Sequence, residues 1–234
     1  YDGDDTRCAL YSYDPNTDDA PSYLGRWPMT ESIEPRHWVK MGDRLIIFPD
    51  AVIYDRISRE LETIAVSCSI GSPEFSDGTF SGISAKANTI KTSASAVEYI
   101  RSGDTVRISG CITQSKNNTV ATIREKEVDG DVCYLRFYEN SFDLGGKVAY
   151  TEEGSATLAR EVPADAPISF ACECDGRIWA AGGNYIFASA QNDPFNWNKF
   201  DSLPGDSFAI SCPGGGEITG ATAYLGYPIF IKED

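Results

Sequence analysis

The chain has 234 residues, and its 35 acidic against 20 basic side chains give a formal net charge of −15 at pH 7. This charge opposes binding to nucleic acid, because phosphate contacts need clustered Lys and Arg, and it opposes docking on anionic membranes. We therefore expect no nucleic-acid partner. No apolar run has the length of a membrane span, so we also expect no membrane insertion.

Strand signals dominate the sequence from end to end. Segments with helical apolar spacing are short, and 21 glycines and 12 prolines punctuate the chain. Short runs of β-branched and aromatic residues bounded by turn residues predict strands. In chain order, the predicted strands are 44–48, 52–54, 63–67, 105–109, 120–124, 132–138, 169–171, 178–181, 185–188 and 228–231.

The first 35 residues are rich in Asp, Pro, Ser and Tyr, and we interpret them as loops and sheet edges with an acidic beginning. Within polar loops of this segment, Tyr11, Tyr13 and Tyr23 are the candidates for contact with a partner or a glycan, because Tyr combines an apolar ring with a polar tip. The chain starts at Tyr1 without Met, so we expect a fragment or a processed form.

Two distant stretches share one pattern: Gly42 to Tyr54 aligns without a gap on Asp175 to Phe187. Each copy has a turn, an Arg, a short apolar strand, a tight turn and a second apolar strand with an aromatic residue. A third copy begins at Leu225. Recurring hairpins of this kind are typical of β-propeller blades, and they favour a scaffold or recognition protein over an enzyme.

The spacing of the copies predicts an insertion. From Arg177 to Pro228 the distance is about one blade, whereas from Arg44 to Arg177 it is about 80 residues more. Inside that stretch, alternating strands and the Asp129-Gly130 turn indicate a small curled β module of SH3-like or OB-like type. We therefore predict blade-like repeats at 1–75 and 155–234, with a barrel-like β domain inserted at 76–154.

Catalytic and metal-binding patterns are scarce. His37 is the single histidine of the chain, which excludes multi-His metal sites and leaves a Ser-His-Asp triad one base. The acidic stretches 2–5 and 14–19 could offer oxygen ligands to Ca²⁺ but lack EF-hand spacing, so we interpret them as solvated turns. Glu152-Glu153 has the composition of a solvated loop. We predict no catalytic residue, no metal and no cofactor.

Two other features are interpreted as structural. The seven cysteines have no C-x-x-C spacing and lie mostly in apolar runs, which indicates reduced, buried thiols in a protein folded in a cytosol. The stretch 192–197 contains Asp-Pro, which sets a turn, and it places Phe195 and Trp197 two residues apart. We interpret it as a rigid corner that closes a blade.

Several segments together resemble a known family. They are Asp175 to Trp179, Tyr185 to Ala190, Asp193 to Trp197, Asp206 to Ala209 and Thr219 to Asp234, with Asp43 to Tyr54 and the block from Gly103 to Asn140. These segments are similar to a tail-associated structural protein family of bacteriophages and prophages, typically of Firmicutes hosts. The resemblance spans most of the chain from about Met41 onward. It implies a β-propeller-like virion protein with no catalytic residues to carry over.

We therefore expect a non-enzymatic structural protein of a phage tail or tail tip, made in the bacterial cytoplasm and assembled with other tail proteins. Members of the family are longer, so the chain would be one part of a larger protein or assembly. Two alternatives are open. One is a receptor-binding module for host surface polysaccharide, and the other is a glycosidase or depolymerase with two carboxylates about 5–10 Å apart across a cleft.

Overall fold

The computed structural model describes residues 7–17, 19–29, 36–78, 88–138, 142–162 and 168–233. The prediction of an all-β fold is confirmed, because strands account for 54% of the structure and helices for 3%. The sheets are antiparallel, and the described residues form neither a closed barrel nor a propeller. Within these ranges, no helix has the length and apolar character of a membrane span.

Twenty strands and two short 3-10 helices make up the described structure. The helices are Ser95–Val97 and Ser115–Asn117. The strands are β1 (Arg7–Ser12), β2 (Ser22–Pro28), β3 (His37–Met41), β4 (Arg44–Phe48), β5 (Val52–Asp55), β6 (Glu60–Thr63), β7 (Val66–Gly71), β8 (Glu74–Ser76), β9 (Thr89–Ser93), β10 (Thr105–Ser109), β11 (Val120–Asp129), β12 (Val132–Phe137), β13 (Ala149–Thr151), β14 (Ser155–Arg160), β15 (Phe170–Cys174), β16 (Arg177–Gly182), β17 (Tyr185–Ala188), β18 (Phe208–Ser211), β19 (Ile218–Tyr224) and β20 (Tyr227–Lys232).

The chain divides into two compact units. The middle unit is Ala65–Val162, and the range predicted for the inserted module, 76–154, lies within it. The repeat unit combines Tyr1–Ile64 with Pro163–Asp234. The predicted strand 63–67 is wrong, because β6 ends and β7 begins inside it and the two strands belong to different units. Ile64, which lies between the two strands, is fully buried. The apolar run in the sequence therefore continues across the break although the strand does not.

The repeat unit contains two four-stranded sheets and two hairpins. The first sheet has the order β3-β4-β5-β6 and the second has the order β15-β16-β17-β18. We call β1–β2 the early hairpin and β19–β20 the late hairpin. A two-residue turn precedes β4, β16 and β20, and the strands begin at Arg44, Arg177 and Tyr227. These three residues therefore occupy equivalent positions. β20 begins at Tyr227, one residue before Pro228, the residue from which the spacing of the third copy was counted.

One face of the first sheet is completely covered. The cross-strand pairs place Val39, Ile46, Phe48 and Ile53 on this face, and none of the four is more than 6% exposed. The ring of Phe48 meets the ring of Trp197 edge-on at a centroid distance of 6.1 Å. The edge-on arrangement is one that aromatic pairs prefer. The segment that follows β17 thus covers this face of the first sheet with an aromatic side chain.

The opposite face of the first sheet packs on the early hairpin. Ile47 and Val52 form a hydrophobic cluster there with Trp27 of β2. The indole Nε1 of Trp27 donates a hydrogen bond of 2.8 Å to Oδ2 of the buried Asp50, and Arg36 forms an ion pair with the same oxygen at 3.1 Å. The early hairpin is therefore fixed both by apolar contact and by a buried, charge-assisted hydrogen bond.

The middle unit is built from one eight-stranded sheet with the order β13-β8-β9-β12-β11-β10-β14-β7. The two ends of this sheet are consecutive in sequence, because only Ser72 and Pro73 separate β7 from β8. The amide of Ser72 donates to the carbonyl of Gly154, and the amide of Glu152 donates to the carbonyl of Pro73. The sheet wraps around a single core that includes Phe75, and the end strand β7 also contacts β9.

A buried ion pair lies inside the middle unit. Nη1 of Arg160 on β14 contacts Oδ2 of Asp104 at 2.6 Å, and their side chains are 1% and 4% exposed. The same carboxylate oxygen accepts a hydrogen bond from the amide of Arg101. Loss of one partner would leave the other charge buried and uncompensated, which is costly in a protein interior.

We predict that Arg160→Met lowers the free energy of unfolding of the middle unit by about 3–5 kcal/mol. Arg107→Met is the matched control, since Arg107 pairs with Glu161 on the surface, where an ion pair contributes at most about 1 kcal/mol. Hydrogen exchange of peptides from β10 and β14 in increasing urea measures both variants. Equal losses in the two variants would contradict the prediction.

Candidate interaction surface

Two of the three predicted tyrosines form an exposed pair on the early hairpin. Tyr11 and Tyr23 are opposite each other across β1 and β2, so both are strand residues and their assignment to polar loops is wrong. Their rings meet edge-on at 5.5 Å, and the residues are 54% and 56% exposed. Tyr13 is 64% exposed just beyond β1. Their contact with a partner or glycan stays a prediction.

The late hairpin carries a larger exposed apolar surface. Cross-strand pairs place Tyr224 with Tyr227 and Thr222 with Ile229 on one face, and Ile231 lies on the same face. Ile229, Ile231 and Tyr227 are 41%, 55% and 70% exposed. On the opposite face of β20, Pro228 and Phe230 are half-buried. Within the described residues β20 pairs with β19 alone, so its other edge has free backbone groups.

The repeat explains why this exposure is unusual. Because Tyr227 is equivalent to Arg44, Ile229 and Ile231 take the positions of Ile46 and Phe48 in the first sheet. Ile46 and Phe48 are completely buried. Sequence reasoning did not identify the late hairpin as an interaction surface, because residues 227–231 form a continuous apolar run without the polar alternation that indicates an exposed face.

Two further apolar exposures lie on the four-stranded sheets. Trp38 on β3 is 70% exposed. It pairs with Ile47 and so lies on the face of the first sheet on which the early hairpin packs, but outside the covered part. On β18, the last strand of the second sheet, Phe208 and Ile210 are 43% and 45% exposed. The ring of Phe208 stacks on Trp179 at a centroid distance of 6.0 Å, so one side of Phe208 is packed and the other is open.

Arg177 organises the segment between β17 and β18. Its buried guanidinium donates hydrogen bonds to the backbone carbonyls of Ser189, Pro204 and Asp206, and it lies 4.8 Å from the ring centre of Phe208. Desolvation by burial lowers the pKa of Arg177 from its ordinary value. One side chain therefore ties both ends of the segment to the start of β16, as the planar fork of an arginine can do.

The stretch 192–197 forms the corner that its composition predicts. Oδ1 of Asp193 accepts a hydrogen bond from the amide of Phe195, and Nε1 of Trp197 donates to the carbonyl of Pro194 at 2.9 Å. Phe195 and Trp197 are 5% and 1% exposed. Phe195 lies under the guanidinium of Arg44 at 5.6 Å, so this corner is structural and fills the space beside the first sheet.

The residues considered for chemistry have structural partners. The ring of His37 packs on Phe170 at 4.8 Å. In a cleft beside the β3–β4 turn, Asp43 pairs with Arg56 and Asp55 pairs with Arg44. Each of these two carboxylates is thus held by a cation.

Glu152 is not in a solvated loop, which corrects the interpretation from sequence. It is 1% exposed, and its Oε1 accepts hydrogen bonds from the amides of Ile112 and Thr113 at 2.8 and 2.6 Å. Burial by itself would raise the pKa of Glu152, but these donors hold it below its ordinary value. The partners lie far upstream in the chain, so no local pattern could reveal them.

Neither the acidic stretches nor the cysteines form a metal site in the described residues. Residues 2–5 lie outside the described residues, and Asp14 in the second stretch accepts hydrogen bonds from Asn16 at the surface. No group of three His, Cys, Asp or Glu side chains in the described ranges could hold a metal ion. All seven cysteines are free thiols, and burial raises the pKa of Cys111 and Cys172 to about 11.

Compared with protein-family models, with curated proteins and with solved structures, the chain matches none.

We predict that Arg177→Lys lowers the free energy of unfolding of the repeat unit by about 1–3 kcal/mol, because a lysine cannot reach all three carbonyls and a buried acceptor without a donor is costly. Tryptophan fluorescence in urea measures it, since Trp27, Trp38, Trp179 and Trp197 all lie in the repeat unit. Arg44→Lys is the control, because its side chain is 37% exposed and a lysine keeps the charge opposite Asp55. A control that loses as much stability as Arg177→Lys would refute the role of the fork.

Proposed function

We propose that the chain is a non-enzymatic structural protein of a phage tail or tail tip that acts by assembly with other proteins of the virion. The virion assignment rests on the sequence resemblance described above. The structural support is for assembly, and it comes from sheet faces that stay apolar and open in the repeat unit.

The observation that carries the proposal is the exposure of Ile229 and Ile231. The equivalent residues of the first sheet, Ile46 and Phe48, are fully buried under the segment after β17. Covering a half-exposed isoleucine contributes about 1 kcal/mol, and a continuous apolar patch marks an interaction site more often than scattered apolar residues do. The exposed edge of β20 offers backbone hydrogen bonds to the same partner.

Within this proposal, the four-stranded sheets are blades of a propeller-like body. β15, the first strand of the second sheet, lies between β3 and β19, which are the first strands of the other two repeats. Contact between the first strands of successive sheets is the arrangement that a propeller has around its central axis. The middle unit, with one sheet wrapped around one core, is the barrel-like adaptor that faces a neighbouring protein.

The test is quantitative mass spectrometry of purified particles from the producing strain. The proposal predicts peptides of this chain at a fixed low copy number that matches tail symmetry, and the same ratio after a second round of particle purification. Abundant host cytosolic proteins serve as the control, since their peptides should decrease with each round. Absence of the chain from clean particles would contradict the virion role.

A second candidate, recognition of host surface polysaccharide, is favoured by the exposed pair of Tyr11 and Tyr23. Aromatic rings on a surface can stack on sugar rings, and Tyr13 lies next to them in sequence. This candidate requires that purified host polysaccharide binds the purified chain and that Tyr11→Ala weakens the binding. The glycosidase alternative gains no support from Asp43, Asp55 or Glu152, each of which is held by partners within the fold.

A further inference from the structure

Arg44 and Arg177 occupy equivalent positions of the repeat, but their surroundings differ. Around Arg177 the chain itself fills the space, because the segment between β17 and β18 presents the backbone carbonyls of Ser189, Pro204 and Asp206 to the guanidinium. The connection between β5 and β6 is too short to do the same for Arg44. Arg44 instead lines an open cleft of about 320 Å³ beside the β3–β4 turn.

The cleft has the composition of a small polar binding site. Its volume lies at the lower end of the ~300–1,000 Å³ that is usual for ligand pockets. Met41 and Ile57 are its apolar side chains. Its polar side chains come from both repeats, and they are Asp43, Arg44, Asp55 and Asn192. A bound molecule would therefore meet hydrogen-bonding groups on a partly apolar surface.

Most of the donor groups of Arg44 are available to a ligand. Its Nε donates to Oδ2 of Asp55, which lies opposite it on β5, at 3.2 Å. Its guanidinium lies 5.6 Å from the ring centre of the buried Phe195, which supports it from below. Within the described ranges, neither Nη1 nor Nη2 has a hydrogen-bond partner. A guanidinium has five N–H donors in a planar fork, so four of them remain.

Asn192 adds a second polar group that is fixed in place. Its φ of 58° is a left-handed conformation in which Asn is enriched, and its backbone amide donates to the carbonyl of Gly176 at 2.6 Å. A Cβ on Gly176 would come within 2.6 Å of Oδ1 of Asn192, so the glycine leaves room for this side chain. In the described part of the chain, the carboxamide of Asn192 has no hydrogen-bond partner. A carboxamide both donates and accepts, as a peptide group does.

We propose that this cleft binds an extended polypeptide segment of a partner protein through its backbone. Arg44 donates to carbonyl oxygens of the segment, as Arg177 does to carbonyls of its own chain, and Asn192 pairs with one peptide group. A neutral or basic segment fits, because Asp43 and Asp55 line the cleft and the chain has a net charge of −15. This inference rests on the assembly role in the proposed function and does not depend on the virion assignment.

The second repeat favours a polypeptide over a polysaccharide as the ligand. There, the equivalent arginine binds three backbone carbonyls of the connection between two strands. A sugar site typically has an aromatic ring open for stacking. The described residues that line the cleft include no aromatic side chain, and Phe195, which packs on Arg44, is only 5% exposed. The donors of the cleft thus match a peptide backbone better than a sugar ring.

The experiment uses linear nonapeptides blocked at both ends, selected on the wild-type chain from a random array and then measured in solution by fluorescence polarisation. Arg44→Lys should weaken their binding about 10- to 100-fold, because a lysine keeps the charge opposite Asp55 but lacks the planar fork. Asn192→Gly should weaken it about 3- to 10-fold, and glycine adopts the same φ without strain. Arg107→Lys, at a surface ion pair of the middle unit, is the matched control and should leave binding unchanged.

Two further measurements locate the contacts. In two-dimensional NMR of the ¹⁵N-labelled chain, a bound peptide should shift the Nε–H signal of Arg44 and the Nδ2 signals of Asn192, while the Nε–H signal of Arg107 should not move. Replacing single peptide amides by esters removes one backbone donor at a time. At one position the ester should weaken binding to the wild type but not to Asn192→Gly, since the two changes remove the same hydrogen bond.

Four results would overturn the proposal. They are the absence of any binding peptide, equal binding to the wild type and Arg44→Lys, binding restricted to peptides with Asp or Glu side chains, and binding of purified host polysaccharide alone. The third would mean that Arg44 recognises a carboxylate, and the fourth would assign the cleft to the second candidate function. Particle composition tests the virion assignment separately, so failure of the cleft proposal can be distinguished from failure of that assignment.

Discussion

The structure of the repeat unit depends on one constraint: an apolar sheet face has to be covered by the next sheet. Ile46 and Phe48 are fully buried because the segment after β17 places Trp197 against them. That lid is in turn held by Arg177, whose hydrogen bonds fix both ends of the segment. In the late hairpin, the equivalent residues Ile229 and Ile231 are exposed in the described structure.

The arginines at equivalent positions of the repeat make different contacts. Arg44 and Arg177 both begin the second strand of a sheet, yet Arg44 is partly exposed, pairs with Asp55 and covers Phe195, whereas Arg177 is buried and binds carbonyls. The difference follows from the neighbouring segment. The connection between β5 and β6 is short, and the connection between β17 and β18 is long enough to enclose the arginine and to form the corner around Trp197.

Much of the fold could be predicted from the sequence, because strand alternation and turn residues are local signals. The aligned copies fall on β4–β5 and β16–β17, and the predicted corner at 192–197 is present. The early hairpin was missed because 1–35 has the polar composition of loops, and its strands depend on tertiary contacts such as Trp27 with Asp50. Exposure of Trp38 and burial of Glu152 depend on which distant segment covers each residue, which periodicity does not specify.

The exposed apolar faces of β18 and β20 connect this fold to the proposed assembly, because a continuous apolar patch marks an interaction site. The most direct measurement is hydrogen exchange of the backbone amides of β18 and β20, compared between the isolated chain and purified particles. If these strands are assembly surfaces, their amides exchange more slowly in the particles than in the isolated chain, while those of β4 and β16 stay protected in both. Equal exchange of β18 and β20 in the two samples would contradict the central claim that these exposed strands are assembly surfaces.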